Sequence, residues 1–355
     1  MKPKIIHIVN LQSYGGIQKL TLELTSLMNV NGIVLNDLLA ARKIDLLSKS
    51  FPQNVNVIKI DKQNFFSWVR EVNKVFSNYD IIHFHGPFTV FQILAMFSKK
   101  KIIYTEHGTL QKANIKNTIK HFIQKRFIGR LFLEKYVDNV IFISKWIQND
   151  LDLKNKNQIV VYNGLKFQEP NLKSQKQFVL TIAARLIPKK RVDLAIDVMH
   201  LLNEHSNVIL QIIGDGDDMP NLKERAGSLL DKTVFFLGYR MDAYDIIASS
   251  DIYLMTTDME PFGLVVLEAM MSETVVLVLA NSGGPTEILN AKFSNLIVNG
   301  IDEMAQSILY WKDNLNEKKK VECELKELYA ESYTMNSMAK NYLNAYLQVL
   351  ENSNR

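Results

Sequence analysis

Cysteine is nearly absent from this sequence: Cys323 is the single cysteine among 355 residues. No disulfide can therefore form within the chain, which fits a reducing compartment such as the cytoplasm. No apolar stretch approaches the roughly 18 residues that a membrane-spanning helix needs. The first apolar run, Ile5–Val9, is too short for a signal peptide, and no small-residue cleavage site follows it. We therefore expect a cytoplasmic protein.

Low-complexity tracts and short repeats are also absent, and the composition is that of a globular enzyme. Hydrophobic residues make up 47% of the chain and charged residues 22%. These values argue against disorder. A chain of 355 residues exceeds one ordinary core and suits two domains of roughly 150–180 residues each. The formal net charge is +5, and it is not spread evenly.

Short apolar runs alternate with helix-length amphipathic stretches along the chain. The runs predict strands at Ile5–Val9, Ile81–Phe84, Ile102–Thr105, Val140–Ile143, Val179–Ala183, Val208–Ile213, Val234–Leu237, Ile252–Met255 and Val275–Leu279. Continuous β-branched strands separated by helices are typical of parallel sheets covered on both faces. We therefore predict an α/β fold with two doubly wound, Rossmann-like domains, whose ligands bind beyond the carboxyl ends of the strands.

A polar segment separates the two sets of strands. It spans residues 166–177, contains Pro170 and has no hydrophobic period, which predicts a linker. The first domain is expected at residues 1–165 and the second at 178–332. An amphipathic helix is predicted in the tail, residues 333–355.

A predicted helix begins in Glu260-Pro261-Phe262-Gly263-Leu264, which follows a strand and a short loop. Proline suits a first helical turn, and glycine permits a ligand to approach the backbone closely. Free N–H groups at a helix start attract an anion. Glu268, two turns beyond Glu260, can accept hydrogen bonds from the vicinal hydroxyls of a ribose. A buried strand–helix turn with two solvated glutamates explains the same pattern.

Other candidate residues also follow strands. Arg185 and Lys190 are two cations that follow a strand, although such pairs are commonly only solvated. Gly15 and Gly16 follow the first strand, where a plain turn is the alternative. His107 ends another strand, where a satisfied structural histidine is the alternative.

In this order, the motifs resemble the GT4-type retaining glycosyltransferases over nearly the whole chain. The family is marked by two glutamates with seven residues between them, as in EPFGLVVLE. The resemblance implies the GT-B fold, in which two Rossmann-like domains face each other across a cleft. It also implies that the first domain binds the acceptor, that the second binds a nucleotide sugar, and that the terminal helix crosses back to the first domain.

The resemblance also implies roles for residues of the glutamate motif. Glu260 is expected at the donor sugar. The backbone amides of Phe262, Gly263 and Leu264 are expected on sugar and phosphate, and Glu268 on the ribose.

Arg185 and Lys190 match the two cations with which the family clamps the nucleotide diphosphate. The chain departs from the family pattern nearby, because Ala184 and Arg191 stand where glycines are usual. The geometry of this loop and its access to phosphate are therefore expected to differ. If the two cations provide the positive charge, no metal is needed, and no cofactor is expected beyond the nucleotide-sugar substrate.

From the first domain, Gly15 and Gly16 match the glycine loop that approaches the phosphates and the acceptor. His107 matches a histidine near the donor sugar, where it is expected to stabilise the developing oxocarbenium ion rather than act as a base. The expected catalytic residues are thus His107, Glu260, Arg185 and Lys190. His85 ends a strand and is a candidate to line the cleft, whereas His83 is expected in the core.

Three further residues are assigned to the donor site by resemblance. Gly214 is expected in a loop near the nucleotide, and Tyr239 or Arg240 beside the base. The nearby residues 215–217 imitate an Asp-x-Asp metal motif, which we reject because they close a strand of the second domain.

A basic amphipathic stretch spans residues 112–130. The stretch contains no acidic residue. Its cations are Lys112, Lys116, Lys120, Lys125, Arg126 and Arg130. The pattern indicates an anionic membrane surface or a lipid-linked acceptor, while a surface helix packed by its apolar face is the alternative. Nucleic acid fits less well, because no nucleic-acid-binding module is recognised.

The resulting hypothesis is transfer of a sugar, with retention, from a nucleotide-diphosphate sugar to a glycan or lipid-linked saccharide. A UDP-sugar is favoured, and the expected setting is surface polysaccharide or glycolipid assembly. In this mechanism, a phosphate oxygen of the donor deprotonates the acceptor hydroxyl. Two alternatives stay open: another GT-B enzyme, such as an epimerase or an inverting transferase, or a non-catalytic subunit that binds glycan or membrane.

Overall fold

The computed structural model describes residues 2–9, 16–30, 35–40, 52–58, 60, 64–86, 90–108, 129–151, 153–154, 157–202, 207–290 and 292–352. The chain forms two compact units. One comprises Met1–Asn163 together with Met335–Arg355, and the other comprises Gly164–Thr334.

The described part of the first unit contains one wholly parallel sheet in the order β3-β2-β1-β4-β5-β6-β7. The strands are β1 (Lys4–Val9), β2 (Leu35–Ala40), β3 (Asn56–Ile58), β4 (Ile81–His85), β5 (Lys101–Glu106), β6 (Asn139–Phe142) and β7 (Gln158–Val160). The helices are α1 (Gly16–Val30), α2 (Phe65–Ser77), α3 (Val90–Met96), α4 (Arg130–Lys135), α5 (Lys145–Leu151) and, from the end of the chain, α13 (Met335–Glu351).

The second unit contains a parallel sheet in the order β10-β9-β8-β11-β12-β13. Its strands are β8 (Phe178–Ala183), β9 (Val208–Ile213), β10 (Val234–Gly238), β11 (Ile252–Met255), β12 (Val275–Leu279) and β13 (Ile297–Val298). Its helices are α6 (Val192–Leu201), α7 (Met219–Ala226), α8 (Ala243–Ala248), α9 (Leu264–Met271), α10 (Gly284–Asn290), α11 (Ile301–Asp313) and α12 (Leu315–Ser332).

The predicted doubly wound α/β class is confirmed in both units. The strand β12 shows the physical reason: its sequence is VVLVL, and all its residues are buried. A strand that is apolar on both faces is stable only when helices cover both faces of its sheet. In the first unit, α13 takes part in that cover, because Tyr342 and Tyr346 are fully buried in one cluster with Ile5 and Leu24.

Every strand predicted from the sequence is present, with ends that agree to within one residue. The strands β2, β3, β7 and β13 were not predicted. Three of them, β3, β7 and β13, are edge strands of two or three residues. The fourth, β2, has Asn36 and Asp37 within its apolar run.

The predicted linker, residues 166–177, is bonded to the second unit at several points. The Asn171 N–H donates to Asp245 Oδ1 over 3.0 Å, and the Lys173 N–H donates to Ser249 Oγ over 2.9 Å. The Tyr244 hydroxyl donates to the Gln168 carbonyl over 2.8 Å. None of the helices in the described ranges combines the length and the apolar character needed to cross a bilayer.

Candidate functional site

The carboxyl edge of the second sheet carries a helix start that no described side chain caps. Helix α9 follows Gly263, whose φ of 91° lies in the left-handed region, and no side chain bonds to its first N–H groups. A Cβ at Gly263 would also lie 2.8 Å from Pro285 Cγ. The backbone therefore requires glycine here, and the helix presents its positive end at the place where α/β sheets bind ligands.

The loop before α9 is fixed by a second segment, at Gly284. The Glu260 N–H donates to the Ser282 carbonyl over 2.7 Å, and the Gly284 N–H donates to the Glu260 carbonyl over 2.9 Å. A Cβ on Gly284 would lie 2.5 Å from the Pro261 carbonyl oxygen. The glycine pair at residues 283–284 thus fixes the position of Glu260 through backbone contact.

Lys190 and Glu260 are brought together in this loop system. Lys190 Nζ lies 2.7 Å from Glu260 Oε2, and both side chains are largely shielded, with exposures of 24% and 20%. The Lys190 carbonyl accepts a hydrogen bond from Thr256 Oγ1 over 3.2 Å. Both residues were assigned to the donor site, but the sequence does not reveal that they pair.

Arg185 and Arg191 lie on the same loop but differ in their surroundings. Arg185 is exposed, and within the described ranges it has no ion-pair partner. Arg191 adopts a left-handed conformation, with φ of 49°, and donates to Asp193 and Asp258. The hydrogen bonds that Arg191 donates to Asp193 are the main reason why the pKa of Arg191 is raised. This conformation is one that favours glycine, and the arginine here is neutralised by two carboxylates.

Gly214 is required by packing between loops. Its φ is 130°, and a Cβ there would lie 1.8 Å from the Ala184 carbonyl oxygen. The Gly216 position is equally tight against the Leu186 carbonyl, at 2.2 Å. Asp215 Oδ1 accepts from the Gly216 N–H over 2.7 Å. These glycines hold the Arg185 loop against the end of β9, and whether Gly214 contacts a nucleotide stays a prediction.

Tyr239 and Arg240, the two residues predicted beside the base, differ in whether their side chains are already paired. Arg240 donates twice to Asp242, over 2.7 Å each, and this pairing holds the pKa of the Asp242 carboxyl well below its usual range. Tyr239 is 76% exposed at the carboxyl end of β10. Its ring is therefore the one that a planar base can stack on without breaking an ion pair.

The remaining donor-site candidates lie on or beside α9. The Phe262 side chain is 2% exposed and its ring centroid lies 6.2 Å from that of Tyr333, so it is part of the core and only its backbone is available to a ligand. Leu264 is the first residue of α9, and Glu268 lies one turn further along, partly exposed.

In the first unit, His107 lies just beyond β5 and is 7% exposed. Its Nδ1 has no hydrogen-bond partner among the described residues. Burial lowers the pKa of His107 to about 4, so the ring is neutral at pH 7. Gly16 is the first residue of α1, and Gly15 lies outside the described residues.

Sequence reasoning missed His7, which joins the histidines of β4. Strands β1 and β4 are parallel neighbours, with His7 opposite His83. One nitrogen from each of His7, His83 and His85 lies within 4.8 Å of the others, a spacing that can hold a metal ion. Both ring nitrogens of His83 and of His85 already take part in hydrogen bonds, however. The group is therefore a hydrogen-bonded cluster within the core.

Of the basic stretch, only its end is described. Arg130 Nε donates to Glu134 Oε1 over 2.8 Å, so this cation is paired within α4. Five of the predicted membrane or acceptor contacts lie outside the described residues: Lys112, Lys116, Lys120, Lys125 and Arg126.

A cavity of about 620 Å³ lies at the opposite, amino edge of the second sheet. Two of its lysines, Lys319 and Lys326, are paired with Glu273. It is thus separate from the carboxyl-edge site, and these two lysines are already engaged in ion pairs.

Two family profiles match consecutive parts of the chain. Residues 34–169 match the profile described as Glycosyltransferase Family 4, and residues 163–324 match the profile described as Glycosyl transferases group 1.

Individual relatives cover most of the chain. An uncharacterized glycosyltransferase of Methanocaldococcus jannaschii is 27% identical over 271 residues, which are 69% of this chain and 68% of the relative. The Escherichia coli UDP-Gal:alpha-D-GlcNAc-diphosphoundecaprenol alpha-1,3-galactosyltransferase is 23% identical over 345 residues, 87% of each chain. The crystal structure of the Anabaena protein HepE in complex with UDP superposes with a TM-score of 0.78 at 17% identity, over 97% of this chain and 100% of that one.

Proposed function

We propose that this chain, which belongs to the GT4 family of GT-B-fold glycosyltransferases, transfers a sugar with retention from a UDP-sugar to a glycan or lipid-linked saccharide. The observation that carries the proposal is the pairing of Lys190 with Glu260 on the edge where α9 begins without a side-chain cap. A shielded cation, a carboxylate and a helix N-terminus are what a nucleoside diphosphate bearing a sugar requires.

In the proposed donor complex, Lys190 and the exposed Arg185 bind the diphosphate. The N–H groups at the start of α9 add a partial positive charge. Glu268, one turn along α9, accepts hydrogen bonds from the ribose hydroxyls, and the exposed ring of Tyr239 stacks on the base. UDP is favoured because the Anabaena structure with this fold contains it.

The proposed reaction breaks the bond between the anomeric carbon and the diphosphate oxygen. The bonding electrons stay on the diphosphate, where Arg185 and Lys190 stabilise the added charge. The acceptor hydroxyl attacks the same face of the sugar, and its proton moves to the departing phosphate oxygen. The new bond therefore keeps the anomeric configuration. In this proposal, the neutral and buried ring of His107 hydrogen-bonds a hydroxyl of the sugar.

For the acceptor we propose a saccharide on a lipid diphosphate at the cytoplasmic face of a membrane. The Escherichia coli relative is named for such an acceptor. The basic stretch at residues 112–130 supplies the cations that an anionic lipid surface attracts.

The proposal is tested with a panel of UDP-, GDP- and ADP-sugars. We expect UDP-sugars to raise the thermal midpoint and to be slowly hydrolysed without an acceptor. Arg185→Ala and Glu268→Ala should lower both responses, whereas Lys189→Ala, an exposed neighbour, should not. The anomeric proton of a transfer product, read by NMR, should show retention. If no nucleotide sugar elicits either response, the transferase proposal is wrong.

A further inference from the structure

Three histidines of the first unit form a continuous hydrogen-bonded chain. His7 Nδ1 lies 2.9 Å from His85 Nε2, and His85 Nδ1 lies 3.0 Å from His107 Nε2. The three residues belong to adjacent parallel strands or their ends, β1, β4 and β5. They are buried, with exposures of 0%, 7% and 7%.

The rings of His85 and His107, at the centre and the end of this hydrogen-bonded chain, are neutral at physiological pH. Burial is the main reason why the pKa of His85 falls well below its usual value, and burial also lowers the pKa of His107 to about 4. A neutral imidazole carries one N–H, so one of its ring nitrogens donates and the other accepts.

This proton count makes the chain directional. If His7 donates from Nδ1, His85 accepts at Nε2 and must donate from Nδ1, and His107 then carries its own proton on Nδ1. If His107 donates from Nε2 instead, His85 carries its proton on Nε2, and so does His7. With one proton on each ring, the only self-consistent sets are three Nδ1–H rings or three Nε2–H rings.

The hydrogen-bonded chain of histidines ends at a ring nitrogen of His107 that lacks a hydrogen-bond partner among the described residues. His107 Nδ1 is buried and unbonded within the part of the chain that the structure describes. A buried polar atom without a partner costs about 1–3 kcal/mol, and a hydroxyl group brought by a ligand would remove that cost. This nitrogen lies beyond the carboxyl end of β5, the edge at which parallel sheets bind ligands.

We infer that His7 and His85 are positioning residues that couple the tautomer of His107 to their own, so that the tautomer shared by the three rings decides whether His107 Nδ1 donates to or accepts from a sugar hydroxyl. The identity of that hydroxyl rests on the proposed function, whereas the shared tautomer does not. A fixed tautomer matters because a ring with its proton on the wrong nitrogen presents the opposite polarity to the substrate.

His83 provides a matched control. It lies on the same strand as His85, is fully buried, and uses both nitrogens in hydrogen bonds, but its partners are the hydroxyls of Tyr346 and Thr105. Replacing either β4 histidine removes a buried imidazole with two hydrogen bonds. Only the replacement of His85 interrupts the chain to His107.

The first test is NMR of the full-length protein labelled with ¹⁵N-histidine, with resonances assigned from the His85→Phe and His83→Phe spectra. We expect His7, His85 and His107 to share one tautomer at pH 7.5. Mixed tautomers within the three would overturn the inference. Because this measurement needs no donor or acceptor, it is independent of the success or failure of the proposed function.

The second test compares turnover in the two variants with the best donor of the panel. We expect His85→Phe to lower kcat by about tenfold to a hundredfold, as when the group that orients a catalytic histidine is lost. The affinity for UDP, measured by calorimetry, should stay within about twofold, because UDP alone lacks the sugar. His83→Phe should lower stability similarly but leave kcat near the wild-type value. Equal losses of kcat in the two variants would overturn the role of the chain. Should His85→Phe fail to fold, the tautomer measurement on the wild type decides, with assignment from His83→Phe and His107→Gln.

Discussion

Lys190 Nζ and Glu260 Oε2 lie 2.7 Å apart although 70 residues separate them in the chain. The pair places a carboxylate on the cation that, in the proposed function, binds the diphosphate of the donor. Carboxylate and phosphate must then share one ammonium group, whose three N–H bonds permit it to donate to both. Glu260 therefore tunes how strongly Lys190 attracts phosphate.

A first prediction concerns the carboxylate of this pair. Glu260→Gln removes a negative charge close to Lys190, so we expect UDP to bind about twofold to fivefold more tightly, in line with roughly 0.5–1 kcal/mol for a partly exposed pair. Transfer should decrease because the carboxylate at the donor sugar is lost. Calorimetric titration with UDP measures the first effect, and Glu224→Gln, an exposed glutamate on α7, serves as the control. Weaker UDP binding by Glu260→Gln would contradict this account.

The lysine gives the opposite prediction. Lys190→Ala removes a charge-assisted hydrogen bond worth about 1.5–3 kcal/mol, so UDP should bind roughly tenfold to a hundredfold more weakly. The same titration with Lys189→Ala provides the comparison, because that neighbouring side chain is exposed and has no ion pair within the described ranges. Similar losses in both variants would point to general electrostatic attraction rather than to Lys190.

Gly284 permits a steric prediction. A Cβ at this position would overlap the Pro261 carbonyl and the Phe262 backbone, at 2.5 Å and 2.6 Å, and backbone atoms cannot rotate away as a side chain can. We expect Gly284→Ala to displace the loop before α9, to abolish the thermal shift caused by UDP, and to lower stability by about 2 kcal/mol or more. Gly300→Ala is the matched control, since nothing lies within 4 Å of its Cβ and its φ of −171° is open to any residue. Unchanged UDP binding in Gly284→Ala would show that the loop adapts.

The sequence predicted the parts of this molecule that rest on local patterns. An uninterrupted run such as Val275–Leu279 identifies a buried strand, because few other structures cover both faces of an apolar segment. Strand β13 has only two residues, which are too few to show a hydrophobic pattern. In β2, the polar residues Asn36 and Asp37 interrupt the apolar run by which a buried strand is recognised. Contacts between distant residues were not predictable. The partners of Lys190 and His7 come from other strands or loops, and only the register of the sheet brings them together.

Lys318 yields a prediction about stability. Although charged, it is 8% exposed, and its Nζ lies 2.7 Å from Glu322 Oε1 and 3.1 Å from Asp251 Oδ1. Removing the cation takes from Glu322 and Asp251 their contact with Lys318, although Glu322 keeps Lys319 Nζ at 3.6 Å. The loss of such a shielded cation costs up to about 3–5 kcal/mol. Lys318→Ala should therefore shift the urea midpoint strongly downward. Lys320→Ala, on the same helix with a side chain that is 77% exposed, should change the free energy of unfolding by less than about 0.5 kcal/mol. Equal shifts of the urea midpoint in the two variants would mean that the contacts of Lys318 with Glu322 and Asp251 add nothing to stability.

The buried histidines predict how stability depends on pH. Folding lowers the pKa of His107 from 6.5 to about 4, and burial lowers those of His83 and His85 in the same direction. Below pH 6.5 the unfolded chain therefore binds protons that the folded chain rejects, so stability is complete above that pH and decreases as the pH falls toward 4. Each such histidine contributes up to about 1.4 kcal/mol per pH unit. Urea unfolding at pH 7.5 and 5.5 measures the loss, which should be smaller in His83→Phe than in the wild type. His200→Gln, which replaces an exposed histidine, should keep the wild-type dependence, and a slope that His83→Phe leaves unaltered would assign the acid sensitivity to other groups.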